Sequence, residues 1–210
     1  MDIDITQFCE LNAKYPYLVN PNQLDEYVVA SNGHVLIAKK SVGNYPPQMN
    51  AKFNNETFKK ILPQIIGAQF SHAPAVALPA SRPCSCCEGT TRAMWRECEE
   101  CEGMGEVIFS NSFNTYEHDC KTCDGKGEIT VANTDGWCGI CQGTGLGFSY
   151  DNKSVLVNKV KIQSIYWALI KQLPSLETAN IELQQVNGDK YHALAFRSGE
   201  YHGFVMPYNA

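Results

Sequence analysis

Eight cysteines fall into four Cys-x-x-Cys units: Cys84/Cys87, Cys98/Cys101, Cys120/Cys123 and Cys138/Cys141. Two residues between paired thiols let both thiolates reach one metal ion from a single tight turn. Two such turns complete a tetrahedral set of sulfurs. Glycines follow each unit, as in Cys98-Glu99-Glu100-Cys101-Glu102-Gly103-Met104-Gly105, and free the backbone to bend closely round the sulfurs. One such unit is a weak signal; four with repeated glycine spacing are specific. A full four-thiolate shell leaves no open position for water or substrate, so the expected chemistry is structural binding of two Zn2+ and no metal catalysis. Disulfides are the competing reading of ten cysteines. Only Cys9 lies outside the run, however, and the start Met1-Asp2-Ile3-Asp4-Ile5 has neither the positive region nor the apolar stretch of an export signal. An intracellular, cytoplasmic protein that uses its thiols for metal is therefore expected.

The elements between the units decide how they pair. Glu106-Val107-Ile108-Phe109 and Phe113-Asn114-Thr115-Tyr116 flank Ser110-Asn111-Ser112 and read as a hairpin that brings Cys101 and Cys120 together. Arg92–Arg96 and Glu128–Ala132 can then run antiparallel and return the first unit to the last. This nesting assigns Cys84, Cys87, Cys138 and Cys141 to one zinc, and Cys98, Cys101, Cys120 and Cys123 to the other. The apolar residues of this stretch, such as Trp95, Val107, Ile108, Phe109, Ile129, Val131 and Trp137, are too scattered to bury a core. Structural zinc supplies about 10–16 kcal/mol in small peptides at neutral pH, enough to replace one.

These motifs resemble the cysteine-rich domain of DnaJ-type co-chaperones, which repeats Cys-x-x-Cys-x-Gly-x-Gly four times with nested pairing. The resemblance covers residues 84–145. Units two, three and four match in full. In unit one Thr91 stands where the second glycine belongs, and Cys86 adds a competing thiol that is either a spectator or an alternative ligand. The resemblance implies contacts with proteins or peptides. It does not extend to recruiting an Hsp70-type ATPase, because the chain has no His-Pro-Asp triplet.

Around the cysteine stretch, residues 1–83 and 146–210 read as one discontinuous host domain. Ala80-Ser81-Arg82-Pro83 leads out of it and Gly143-Thr144-Gly145-Leu146-Gly147 leads back. Tyr27–Ala30 and Val35–Ala38 flank Asn32-Gly33, a hairpin signal in which both turn residues are expected at positive φ. Asn54–Ile66 reads as a helix with Phe58, Ile61, Leu62 and Ile65 on one face, capped by Asn54 or Asn55 and weakened by Pro63. Ser154–Val160 reads as a strand and Gln163–Leu173 as a helix stopped by Pro174. Asn180–Val186, Tyr191–Arg197 and Tyr201–Met206 read as strands with turns at Asn187-Gly188 and Ser198-Gly199. The expected fold class is α+β, an antiparallel sheet with packed helices, interrupted by a zinc-stabilised β-hairpin module at 84–145.

Val29-Ala30-Ser31-Asn32-Gly33-His34-Val35-Leu36 resembles a hairpin of bacterial DNA sliding clamps, and Phe204-Val205-Met206-Pro207 resembles their last strand. That likeness implies one clamp-like domain and an association with replication machinery such as that of a phage. Asn32, Val35 and the 54–66 helix depart from it.

Hydrophobic residues make up 44% and charged residues 19%, an ordinary globular composition with no apolar run long enough to span a bilayer. The net charge of −5 is uneven, because residues 84–145 hold 11 Asp/Glu against 4 Lys/Arg. Such a module does not grip phosphates non-specifically. Of the remaining candidates, Cys9 reads as a small buried residue and His34 as an exposed turn residue. His118 is an unneeded alternative ligand, and Lys159 and Lys161 are solvated unless they meet phosphate. Trp95, Phe109, Phe113, Tyr116 and Trp137 form either a partner surface or local packing beside the metal. No Walker loop, nucleophile elbow or His-Glu-x-x-His occurs. The expected function is a non-enzymatic protein that presents the zinc module to a protein or nucleoprotein partner. Two alternatives are a chaperone-like or thiol-disulfide-active zinc protein, and a protein that binds DNA or RNA directly through the host.

Overall fold

The computed structural model describes residues 3–10, 16–41, 55–132, 136–149, 153–184 and 190–208. Its centre is a seven-stranded antiparallel sheet built from both ends of the chain. The N-terminal part supplies β1 (Asn22–Leu24), β2 (Tyr27–Ser31), β3 (Val35–Lys40) and the short β4 (Ser71–His72). The C-terminal part supplies β13 (Glu177–Gln184), β14 (Lys190–Ser198) and β15 (Tyr201–Val205). The spatial order is β1-β2-β3-β15-β14-β13-β4. The ends of the chain meet here, since β15 pairs β3 with Phe204 opposite Leu36.

Both faces of the sheet are covered, which explains the continuous apolar runs of its central strands, Val35–Ala38 in β3 and Ala193–Phe196 in β14. On one face Val35, Ile37, Leu194 and Phe196 meet Phe8, Val160, Ile162, Trp167 and Ile170. Trp167 and Ile170 belong to α3 (Ser164–Ile170). On the other face Leu36, Ala38, Ala193, Ala195 and Phe204 meet Phe58, Leu62 and Ile65 of α2 (Asn55–Ile66). These α2 residues belong to the expected stripe; Asn54 lies outside the described residues. No helix among the described residues is long and apolar enough to cross a membrane.

The α+β class expected from the sequence is wrong. The structure is mostly β, 40% strand against 13% helix, and each of its two main helices is only a cover on one sheet face. Several local expectations also change. Only Gly33 of the Asn32-Gly33 turn has positive φ, at 88°. Asn32 acts through its side chain instead, its Oδ1 accepting from the N–H groups of His34 and Val35, both at 3.0 Å. The strand expected over Ser154–Val160 is a hairpin of β11 (Ser154–Val157) and β12 (Val160–Gln163), with Asn158 and Lys159 turning at φ 46° and 66°. The helix expected to run to Leu173 ends at Ile170. The Asn187-Gly188 turn lies outside the described residues.

Between β4 and β11 the chain leaves the large sheet in a nested ladder. β5 (Ser81–Pro83) pairs β10 (Leu146–Phe148), β6 (Ala93–Glu97) pairs β9 (Glu128–Ala132), and β7 (Glu106–Ser110) pairs β8 (Thr115–Asp119), all antiparallel. The Cys-x-x-Cys units fill the gaps between successive pairs of strands.

Candidate metal centres

The chain bends sharply at each unit. Three residues after every second cysteine adopt left-handed backbone: the residue directly following, the glycine after it, and the residue two further on. In unit three these are Asp124, Gly125 and Gly127, at φ 51°, 75° and 74°. The two glycine positions are where left-handed backbone is cheapest. Unit one follows the same path although it lacks the second glycine, because Thr91 itself sits at φ 70°.

The bends aim the sulfurs inward. Cys84, Cys87, Cys138 and Cys141 form one group and Cys98, Cys101, Cys120 and Cys123 another; all eight residues are buried, and within each group the sulfurs lie within 4.8 Å of one another. Separations of 4.0 Å for Cys84–Cys138 and 3.6 Å for Cys87–Cys141 recur in the second group as 3.8 Å for Cys98–Cys120 and 3.7 Å for Cys101–Cys123. A tetrahedron with Zn–S bonds of about 2.3 Å has S···S edges of about 3.8 Å, whereas a disulfide needs about 2.05 Å. All ten cysteines are free of disulfides. Each group can therefore hold one zinc ion, two Zn2+ in all.

Hydrogen bonds place the two halves of each group reciprocally. Cys98 N–H donates to the Gly127 carbonyl at 2.8 Å, and Cys120 N–H to the Gly105 carbonyl at 2.7 Å. Cys84 N–H donates to Gly145 O and Cys138 N–H to Thr91 O, both at 2.9 Å. Thr91 thus fills the backbone role of the missing glycine. The sulfurs of Cys101, Cys123 and Cys141 accept from the N–H groups of Gly105, Gly127 and Gly145 at 3.2–3.3 Å.

Electrostatics point the same way. Cys138 is lowered from the usual thiol range, chiefly by its hydrogen bond with the Cys141 thiol, and Cys141 is raised by the same bond and by burial. Four sulfurs this close cannot all ionise unless a cation neutralises them. Little else is buried here. Among the described residues the hydrophobic side chains packed against the second group are Val107 and Ile129, both partly buried, and every residue of β8 is exposed.

The other sequence candidates are placed as follows. Cys86 belongs to neither group of four; its thiol donates to Thr130 Oγ1 at 3.8 Å, and burial pushes it up to about 11. Cys9 is buried in the host core and pushed up to about 12 by that burial. His118 is paired opposite Val107 on the outer hairpin and lies outside both sulfur groups. His34 stacks on Tyr166 at 5.8 Å. Lys161 lies over the Tyr208 ring at 5.7 Å, and Lys159 is an exposed turn residue. The five aromatics separate. Phe109, Phe113 and Tyr116 are exposed on or beside β7 and β8. Trp137 donates from Nε1 to Asp4 Oδ2 at 3.1 Å and lies under the Arg92 guanidinium at 4.1 Å. The Trp95 side chain lies outside the described residues.

Sequence reasoning missed the coupling of the first centre to the host. Gln7 Nε2 donates to Gln142 O at 3.0 Å, and Ile165 of α3 packs against both the first sulfur group and the host core. The Gln7–Gln142 bond joins residues 135 positions apart, and neither contact leaves a periodic trace in the sequence. No protein-family model, curated protein or solved structure matches the chain.

Proposed function

We propose that this is a non-enzymatic zinc protein: a host domain, 1–83 with 146–210, carrying a DnaJ-like two-zinc module at 84–145 whose outer hairpin docks a protein partner. The carrying observation is the character of that hairpin. Ile108, Phe109, Phe113 and Tyr116 are 48–90% exposed on or beside β7 and β8, in a module whose buried residues are mainly metal-ligating thiols. Phe109 and Tyr116 lie opposite each other across β7 and β8, and large apolar side chains paired in the open mark contact surfaces. The same two strands carry Glu106, Glu117 and Asp119 and no Lys or Arg. The fitting partner is a segment that combines apolar with basic residues, because charge of opposite sign steers and orients such contacts. The closed sulfur shells support a structural role for the metal. The two clamp-like stretches of the host extend this reading to a nucleoprotein setting.

A peptide array probed with the zinc-loaded chain tests the reading. Spots rich in both basic and apolar residues should bind, and a Phe109→Ser, Phe113→Ser variant that keeps both zinc ions should lose them. Binding indifferent to that variant, or to peptide charge, would refute the docking role.

A further inference from the structure

The neck between host and module holds a cleft of about 320 Å³, the size of a small-ligand recess. Arg82 of β5 and Phe148 of β10 line it from the two strands that lead to and from the module, while Lys153, Gln163 and Ile165 line it from the body of the host, and Tyr208 from the C-terminal end. The walls are tied down. Arg82 lies opposite Gly147, so Phe148 is one ladder step away. Ser164 N–H donates to the Lys153 carbonyl at 2.8 Å, and Tyr208 N–H to the Lys161 carbonyl at 2.7 Å. Among the described residues no carboxylate lines the cleft. That contrasts with the acidic module directly beyond it.

Two cations, two half-exposed aromatic rings and a side-chain amide in one recess are a complementary set for a phosphate attached to a flat base. Cations bind the phosphate, rings stack on the base, and the amide can donate to or accept from the base edge. An acidic peptide would use the cations and leave the two rings without a role. We infer that the neck cleft binds a nucleotide unit, free or within a single strand, with its phosphate on Arg82 and Lys153 and its base against Phe148 and Tyr208. The competing account of the same cations is that they offset the negative charge of the neighbouring four-thiolate zinc centre, whose Cys84 also borders the cleft.

The test uses the full zinc-loaded chain and a short fluorescein-labelled oligothymidylate, read by anisotropy across a salt series. The single strand should bind at low salt and be released as salt rises. Arg82→Gln with Lys153→Gln should weaken it roughly tenfold and flatten the log–log salt slope by about 0.7, the value for one phosphate contact. Phe148→Leu should weaken it with the slope unchanged. Competition by thymidine monophosphate would identify a free nucleotide as sufficient, and its failure would require a strand; either fits the inference. A duplex of the same length should bind more weakly, because its bases are stacked away from the rings. Zinc content is measured on every variant. If the charge variant loses zinc, photocrosslinking of a 5-iodouracil strand to the unaltered chain decides instead. A crosslink at Phe148 or Tyr208 supports the cleft; a crosslink elsewhere, or none, overturns it. No binding at low salt, affinity untouched by the charge variant, or equal affinity for duplex would also overturn it.

Discussion

Thr91 holds a β-branched side chain at φ 70°, where its counterparts Gly105, Gly127 and Gly145 carry none. Backbone in that region costs a β-branched residue on the order of 1–3 kcal/mol. Thr91→Gly should therefore strengthen the first centre by about 1 kcal/mol after the added freedom of the unfolded glycine is counted. A chelator titration would register it as a later loss of the first zinc; an earlier loss would contradict the backbone account. The reverse change is harmful where two chains touch. A methyl group on Gly127 would run into the Gly103 carbonyl, and one on Gly105 into the Gly125 carbonyl. Gly127→Ala should cost one zinc equivalent, whereas Gly139→Ala, with nothing within 4 Å of the added carbon, should cost none. Cys86→Ser should retain two equivalents and Cys87→Ser only one, because only the latter belongs to a group of four sulfurs. Equal losses from both serine variants would make Cys86 a ligand.

At the scale of elements, the two centres differ in what they hold. The second lies between the β6/β9 and β7/β8 pairs and touches few apolar residues, so the outer hairpin has little else to fold upon. Cys120→Ser with Cys123→Ser should abolish amide-exchange protection in 106–119 and leave 190–205 unchanged. The first centre reaches further, through Trp137 to Asp4, Gln142 to Gln7, and Ile165 to the host core. Cys138→Ser with Cys141→Ser should loosen residues 4–8 as well as the module; unaltered exchange at 4–8 would show those contacts to be inconsequential. The sulfur groups and the nested strands were legible in the sequence because spacing and hairpin patterning are local. The β11–β12 hairpin was not, because Asn158 and Lys159 turn at positive φ without a glycine to announce it. The Asn32 turn was half legible: the residue type was right, but its side chain, not a positive φ, closes the loop.

At the scale of the whole molecule, two ways of burying surface meet at the neck. The host covers both faces of its sheet with apolar side chains and needs no metal to do so. The module buries thiols and has almost no apolar core. The fold class was misread because the helices expected over Asn54–Ile66 and Gln163–Leu173 were weighed as a layer equal to the sheet; they are covers of 12 and 7 residues, and the strands are the body. The most direct test is zinc analysis of the reduced chain, combined with amide exchange before and after chelation. Two equivalents of zinc per chain are predicted, with protection in 84–148 lost on chelation while the large sheet keeps its own. Fewer than two equivalents, or a module still protected in chelator, would contradict the account.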